Sequence, residues 1–220
     1  MHTDILSEDL FPSASKCKSC HEDIYREWAS SNHAYASLSP MFHKFENAIN
    51  SLAPTINTFC VRCHATVSTQ MGEARELPMW ERKQVSREGI TCITCHRVNT
   101  AYGKANGSRN IVMGEIFEPV YGVLGGDGIK EVVENASTWK VATNSDERGN
   151  QIHNEGKIFT QLNQSEFCVS CHQVAVNLGI KLEVVWDQYR DSPAHAQGVS
   201  CQDCHMSYKP GVAGHFKTGP

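Results

Sequence analysis

The sequence predicts a mainly α-helical fold with much irregular backbone, built around something other than a large side-chain core. Residues 40–52 place apolar side chains at helical spacing behind Pro40, and 181–196 show a second helical pattern. Aromatic residues make up only 8% of the chain, and the mean hydropathy is -0.39. Side chains alone would form a thin core for 220 residues, so we expect another apolar component to fill it.

Composition and charge exclude some classes of function. The formal net charge is -4 and no basic run is present, so nucleic acid is not an expected partner. No segment approaches the roughly 20 apolar residues that a transmembrane helix needs. The first residues lack the basic start and apolar middle of a signal peptide.

All ten cysteines belong to five copies of one motif, Cys-x-x-Cys-His. The cysteine pairs are Cys17 and Cys20, Cys60 and Cys63, Cys92 and Cys95, Cys168 and Cys171, and Cys201 and Cys204. The histidines that follow them are His21, His64, His96, His172 and His205. The two residues between the cysteines differ in every copy, so the features common to all five copies are the two thiols and the imidazole.

This motif is typical of covalent haem attachment. The two thiols form thioether bonds to the vinyl groups of one haem, and the histidine binds the iron from one face. Zinc ribbons, a thioredoxin-like redox pair and a disulfide framework are the alternatives, and none of them repeats this motif five times. The sequence therefore predicts five haem c groups. Haem c is attached outside the cytoplasm, so we expect a periplasmic or extracellular protein whose leader has been removed.

Each iron also needs a second axial ligand or keeps an open position, and six histidines lie outside the motifs. Five of them are candidate distal ligands: His33, His43, His153, His195 and His215. His2 is a weaker candidate because terminal residues usually fray. A ligand donated by His2 or His215 could serve a haem in a neighbouring subunit. The methionines are expected to be packing residues.

Part of the chain is duplicated. Phe59 begins "FCVRCH" and Phe167 begins "FCVSCH", and the copies are offset by 108 residues at this motif and by 109 at the next. We predict one domain over 1–220. Its parts are a first haem segment (1–58), a haem-pair module (59–98), a haem-free insertion (99–166) and a second haem-pair module (167–220).

The insertion contains no cysteine. Short β-prone runs broken by glycine and proline predict a small β-hairpin within 109–125, and "IKEVVENA" predicts one or two helical turns. The segment is expected to be a lid over the haems, a surface for partners or a plain connector.

"CKSCHEDIYREWASSNHAYA", "REGITCITCHRV" and "QGVSCQDCHM" resemble segments of the tetrahaem cytochrome c of ammonia oxidisers and the hydroxylamine-oxidoreductase-like superfamily. The resemblance covers most of the chain except roughly 99–145. It implies that His33 and His153 are distal ligands and that the haems pack in parallel-stacked and perpendicular pairs. Five motifs differ from the usual four or eight. Some filament-forming extracellular multihaem cytochromes are similar in size and haem density.

Electron transfer is the expected function, because two histidines on each iron would leave no position for a substrate. The partners would be redox proteins, or identical subunits in a homopolymer. The alternative is a multihaem oxidoreductase that acts on small nitrogen or sulfur compounds at one open iron. All five motifs end in histidine, and the Cys-x-x-Cys-Lys variant of nitrite reductases is absent.

Overall fold

The structure is a computed structural model that describes residues 8–53, 56, 58–101, 105–107, 109–176 and 179–206. Short helices joined by irregular segments make up most of it, as predicted. The helices are α1 (Ala14–Lys18), α2 (Glu22–Ala29), α3 (Asn32–Tyr35), α4 (Pro40–Leu52), α5 (Val61–His64), α6 (Thr66–Met71), α7 (Cys92–His96), α8 (Asp127–Glu134), α9 (Ala136–Trp139), α10 (Val169–His172), α11 (Val185–Arg190), α12 (Pro193–Ala196) and α13 (Cys201–His205). No helix among the described residues is long and apolar enough to cross a bilayer.

The longest of these helices, α4, forms where the sequence predicts it. Ser39 caps its first turn by accepting the N–H of Phe42 at 3.4 Å, and Pro40 occupies the first helical position. Phe42 is buried, but Phe45 and Leu52 are 62% and 82% exposed. The apolar side chains of this helix are therefore only partly buried in the protein core.

In the described part of the chain, six short strands form three two-stranded sheets: β1 (Val120–Gly122) with β4 (Gly156–Ile158), β2 (Val141–Ala142) with β3 (Asn150–Gln151), and β5 (Val174–Val176) with β6 (Ile180–Glu183). The prediction of a β-hairpin within 109–125 is wrong. Instead, β1 pairs in parallel with β4, far along the chain. The backbone before β1 is bonded elsewhere, since Val112 donates to the Arg97 carbonyl at 2.7 Å and Gly114 to the Leu10 carbonyl at 3.0 Å.

The main apolar cluster draws on distant parts of the chain. Its buried members are Phe11, Val67, Met71, Val85, Ile93, Val98, Ile111 and Phe167. A second cluster packs Val132, Val141 and Ile152 against Cys20 of the first motif. The cysteine-free insertion therefore supplies core residues to both clusters, and in its described part it is more than a lid or a surface connector. The predicted helical turns at "IKEVVENA" are confirmed as α8.

The duplicated segments have matching local structure. Helices α5 and α10 have four residues each, and α7 and α13 have five. Gly89 and Gly198, which precede the second motif of each copy, have φ angles of 70° and 72°. Both copies therefore place a glycine with positive φ three residues before the helix of the second motif, α7 or α13. The division into haem modules stays a prediction.

Candidate haem-binding site

Each Cys-x-x-Cys-His motif folds as about one turn of helix. In the first, second and fourth motifs the histidine N–H donates to the carbonyl of the first cysteine, at 2.9, 3.1 and 3.1 Å. The third and fifth motifs are the helices α7 and α13 themselves. Residues three and four positions apart share one face of a helix, so both thiols and the imidazole lie on the same side of each turn. That is the arrangement that one haem requires.

Two of the motif histidines face a histidine from elsewhere in the chain. The ring centroids of His21 and His153 are 6.4 Å apart, and so are those of His33 and His172. Two imidazoles on opposite sides of one iron, each with a metal–nitrogen bond of about 2 Å, would have centroids about 6.4 Å apart. The interplanar angles of 5° and 57° both fit, because each ring can turn about the axis through the iron.

His33 is held in place by the segment that precedes the third motif. The His33 carbonyl accepts the N–H of Ile90 at 2.9 Å, and the indole N–H of Trp28 donates to the Ile90 carbonyl at 2.8 Å. Gly89 passes so close that a Cβ there would lie 2.3 Å from the His33 carbonyl oxygen. Ser31 caps α3 through the N–H of Ala34. These contacts fix the backbone beside the imidazole.

His153 comes from the insertion, directly after buried Ile152, whose N–H donates to the Ala142 carbonyl at 3.1 Å. Burial, and then the neighbouring His21, lower the pKa of His153 to about 4. The ring is therefore neutral at physiological pH, which is the form that binds a metal.

His64 and His96 have no such opposing histidine among the ring contacts of the described residues, but both are oriented by the backbone. Nδ1 of His64 lies 3.0 Å from the Ala36 carbonyl oxygen, and Nδ1 of His96 lies 2.8 Å from that of Tyr121. With the proton on Nδ1, the lone pair of Nε2 is free to bind iron.

The other candidates are less completely arranged. Nε2 of His43 lies 2.6 Å from the Ser37 carbonyl oxygen, which leaves Nδ1 of this ring unengaged by that contact. His195 is exposed and meets Tyr189 edge-on, with centroids 5.2 Å apart. His205 is exposed on α13. His215 and His2 lie outside the described residues.

The cysteines show which motifs are neighbours. Hydrogen bonding to Cys92 lowers the pKa of Cys17, and the same contact raises the pKa of Cys92. Hydrogen bonding to Cys63 lowers the pKa of Cys171 to about 5. The first and third motifs are therefore adjacent, and so are the second and fourth.

The chain exposes more surface than a compact protein of its mass. The chain exposes 13368 Å², whereas a compact protein of 24.4 kDa would expose about 10,000 Å². His33 and His96 are both exposed, yet burial by surrounding protein lowers the pKa of each. Both rings are therefore open to solvent although protein lies around them. The thiol and imidazole geometry of the motifs fits haem.

Other uses of the cysteines find less support. All ten are free thiols, so the disulfide framework does not form. Within the described ranges, no three cysteine, histidine or acidic side chains converge in a group that could hold a metal ion.

Sequence reasoning missed the four arginines that are buried in the described part of the chain, among them Arg97 and Arg109, which are 1% and 6% exposed. Arg97 directly follows a Cys-x-x-Cys-His motif, and this position is a signal that could have revealed it. Arg109 stands in a polar stretch with no such signal.

The helical fold and the five identical turns define a multihaem c-type cytochrome. The family described as cytochrome c554 and c-prime matches residues 16–97 and 131–206, so the chain belongs to this family. Its cofactor is therefore c-type haem, and the family supports electron transfer as its function.

One solved structure shares this fold. The crystal structure of a penta-heme cytochrome c552 from Thermochromatium tepidum matches 95% of this chain with a TM-score of 0.60 and 23% sequence identity. The chain spans 57% of the length of that protein. A comparison with curated proteins gave no significant match.

Proposed function

We propose that the protein carries electrons through five covalently bound haems, one at each Cys-x-x-Cys-His turn. The observation that carries this proposal is the pair of 6.4 Å histidine separations, His21 to His153 and His33 to His172. Each haem supplies a one-electron couple when bound, and the ten cysteines attach it. The penta-heme protein that shares the fold supports the count of five.

We assign the proximal position to the histidine of each motif: His21, His64, His96, His172 and His205. His153 would be the distal ligand opposite His21, and His33 the one opposite His172. Two histidines on one iron hold it low-spin and exclude other ligands. His43, His195 and His215 would be the distal ligands of the remaining haems. His43 would bind through Nδ1, because its Nε2 contacts the Ser37 carbonyl.

The contacts between motifs support fast exchange among haems. Cys17 adjoins Cys92, and Cys63 adjoins Cys171, so the thioether edges of the attached haems would meet in pairs. Close haem pairs of this kind are also implied by the resemblance to the hydroxylamine-oxidoreductase-like superfamily, in which we place the protein.

We infer a periplasmic or extracellular location from the chemistry of haem attachment. The net charge of -4, with the haem propionates added to it, favours redox partners that present basic surfaces. Identical subunits are the second class of partner, since a His2 or His215 ligand donated to a neighbouring copy would build a conductive filament. Electron microscopy of the native protein distinguishes filaments from single particles.

The second candidate function is reduction or oxidation of a small nitrogen or sulfur compound at one open iron. The contact of His43 Nε2 with the Ser37 carbonyl favours it, because that contact occupies one of the two ring nitrogens through which His43 could bind iron.

Haem counting and spin state test both candidates. Pyridine haemochrome analysis should give five haems per chain, and electron paramagnetic resonance (EPR) of the oxidised protein should show low-spin iron throughout. His33→Ala and His153→Ala should each convert one haem to high-spin. A high-spin signal or carbon monoxide binding in the unmodified protein would instead favour the enzyme.

A further inference from the structure

Arg109 is a buried cation held between haem-binding turns. One guanidinium nitrogen, Nη2, donates to the Phe167 carbonyl, and the guanidinium carbon lies 3.9 Å from the centroid of the Phe167 ring. The other terminal nitrogen, Nη1, is buried and has no hydrogen-bond partner among the described residues. Phe167 directly precedes Cys168, so the Arg109 guanidinium lies beside the first cysteine of the fourth motif.

The backbone around Arg109 fixes this position. The N–H of Gly107 donates to the Ser170 carbonyl at 2.6 Å, and a Cβ at Gly107 would lie 2.2 Å from the Ser170 Cβ. On the other side, the Arg109 carbonyl accepts from Gln70 at 2.7 Å. The segment is therefore clamped between α10 and α6, and the guanidinium has little freedom to move away.

Unlike two other buried arginines, Arg109 has no acidic partner. Arg75 pairs with buried Glu46, and Arg82 lies 3.8 Å from buried Glu73. None of the ion pairs found in the described part of the chain includes Arg109. Its full charge therefore acts on its surroundings, and burial weakens the screening by water.

The contacts of this segment place Arg109 at the fourth motif. The guanidinium of Arg109 contacts Phe167, and Gly107, two residues earlier, donates to Ser170. Phe167 and Ser170 lie on either side of Cys168, so Arg109 lies beside the haem site that His33 and His172 flank.

We propose that Arg109 raises the reduction potential of the haem attached at Cys168 and Cys171, so that the first electron to enter the protein rests there. This inference depends on the proposed electron-transfer function. Reduction adds one negative charge at the iron, and a fixed buried cation stabilises the reduced form.

The first test uses the unmodified protein. A stepwise reductive titration followed by proton NMR identifies the haem methyl signals through their contacts with Phe167 and Val169, which flank Cys168. We expect this haem to be reduced first. Reduction of another haem ahead of it would overturn the inference.

The second test removes the charge. Arg109→Gln keeps an N–H donor for the Phe167 carbonyl but loses the cation, whereas Arg109→Lys keeps the cation. We expect Arg109→Gln to raise the ratio of oxidised to reduced haem at this site about tenfold at a fixed potential, a shift of about 59 mV for a one-electron couple. In Arg109→Lys, the ratio of oxidised to reduced haem should stay within about threefold of its value in the unmodified protein. Arg26→Gln, on a side chain 68% exposed, is the control and should leave every haem unchanged.

The outcomes separate the two proposals. Five low-spin haems with unchanged potentials in Arg109→Gln would refute the role of Arg109 and leave electron transfer standing. Fewer than five haems in the unmodified protein would refute the proposed function itself. Should Arg109→Gln alone lose haems, the order of reduction in the unmodified protein decides the question.

Discussion

Substitution of Gly89 by alanine should both destabilise the protein and displace His33. The new Cβ would lie 2.3 Å from the His33 carbonyl oxygen and 2.9 Å from that of Ala34, and both obstacles are backbone atoms. A non-bonded carbon and oxygen need more than 3 Å, so the α3 backbone must move by about 1 Å. That movement would change the 6.4 Å separation between the His33 and His172 rings.

The cost of Gly89→Ala follows from three contributions. The φ of 70° is unfavourable for alanine by about 1–2 kcal/mol. Separation of α3 from the Gly89 loop would also break the hydrogen bond from Ile90 to His33 and strain the one from Trp28, at about 1 kcal/mol each. The sum is about 3–4 kcal/mol, or a melting temperature lower by roughly 6–16 °C in a protein of this size.

Gly198 offers a matched control, because it occupies the equivalent turn of the second copy. Its φ is 72°, but an added Cβ there would meet no described residue within 4 Å. Gly198→Ala should therefore cost only the backbone strain of about 1–2 kcal/mol.

Thermal unfolding and EPR of the oxidised protein measure the two effects. Gly89→Ala should add one high-spin haem, and Gly198→Ala should add none. Equal melting temperatures for the two variants, or a low-spin Gly89→Ala protein, would refute the proposed docking of His33.

Three further changes test a buried ion pair, an exposed helix cap and the hydrogen bond from Trp28 to Ile90, the residue whose N–H bonds the His33 carbonyl. Arg82→Met leaves a buried carboxylate unpaired and should cost about 3–5 kcal/mol in urea unfolding, whereas Arg26→Met at an exposed pair should cost less than about 1 kcal/mol; similar losses would contradict the buried pair. The N–H and O–H of Ser200 lower the pKa of Asp203 in α13, so its stabilising contribution is present above the unfolded pKa of about 3.9 and is lost as pH falls through the folded value. Asp203→Asn should therefore lose stability at neutral pH and approach the unmodified protein in acid, and a pH-independent difference between them would count against the cap. Trp28→Phe removes the indole hydrogen bond and should cost about 1 kcal/mol with little change in spin state, by the same thermal and EPR measurements.

Local sequence determined the parts of this protein that depend on neighbours along the chain. The five Cys-x-x-Cys-His turns, the helix that begins at Pro40 and the helical turns of α8 were all predictable, because residues three and four apart meet on a helix whatever the rest of the fold does. The family relationship likewise follows from short motifs and their spacing.

The tertiary structure alone decided which distant residues meet. His153 faces His21 and His33 faces His172 across large separations in sequence, and no local pattern encodes such a pairing. The predicted hairpin failed for the same reason, since the backbone before β1 is bonded to Leu10 and Arg97 and β1 itself to β4. Arg109 is buried because a clamped segment carries it between two helices, a consequence of packing that a charged residue in a polar stretch does not reveal.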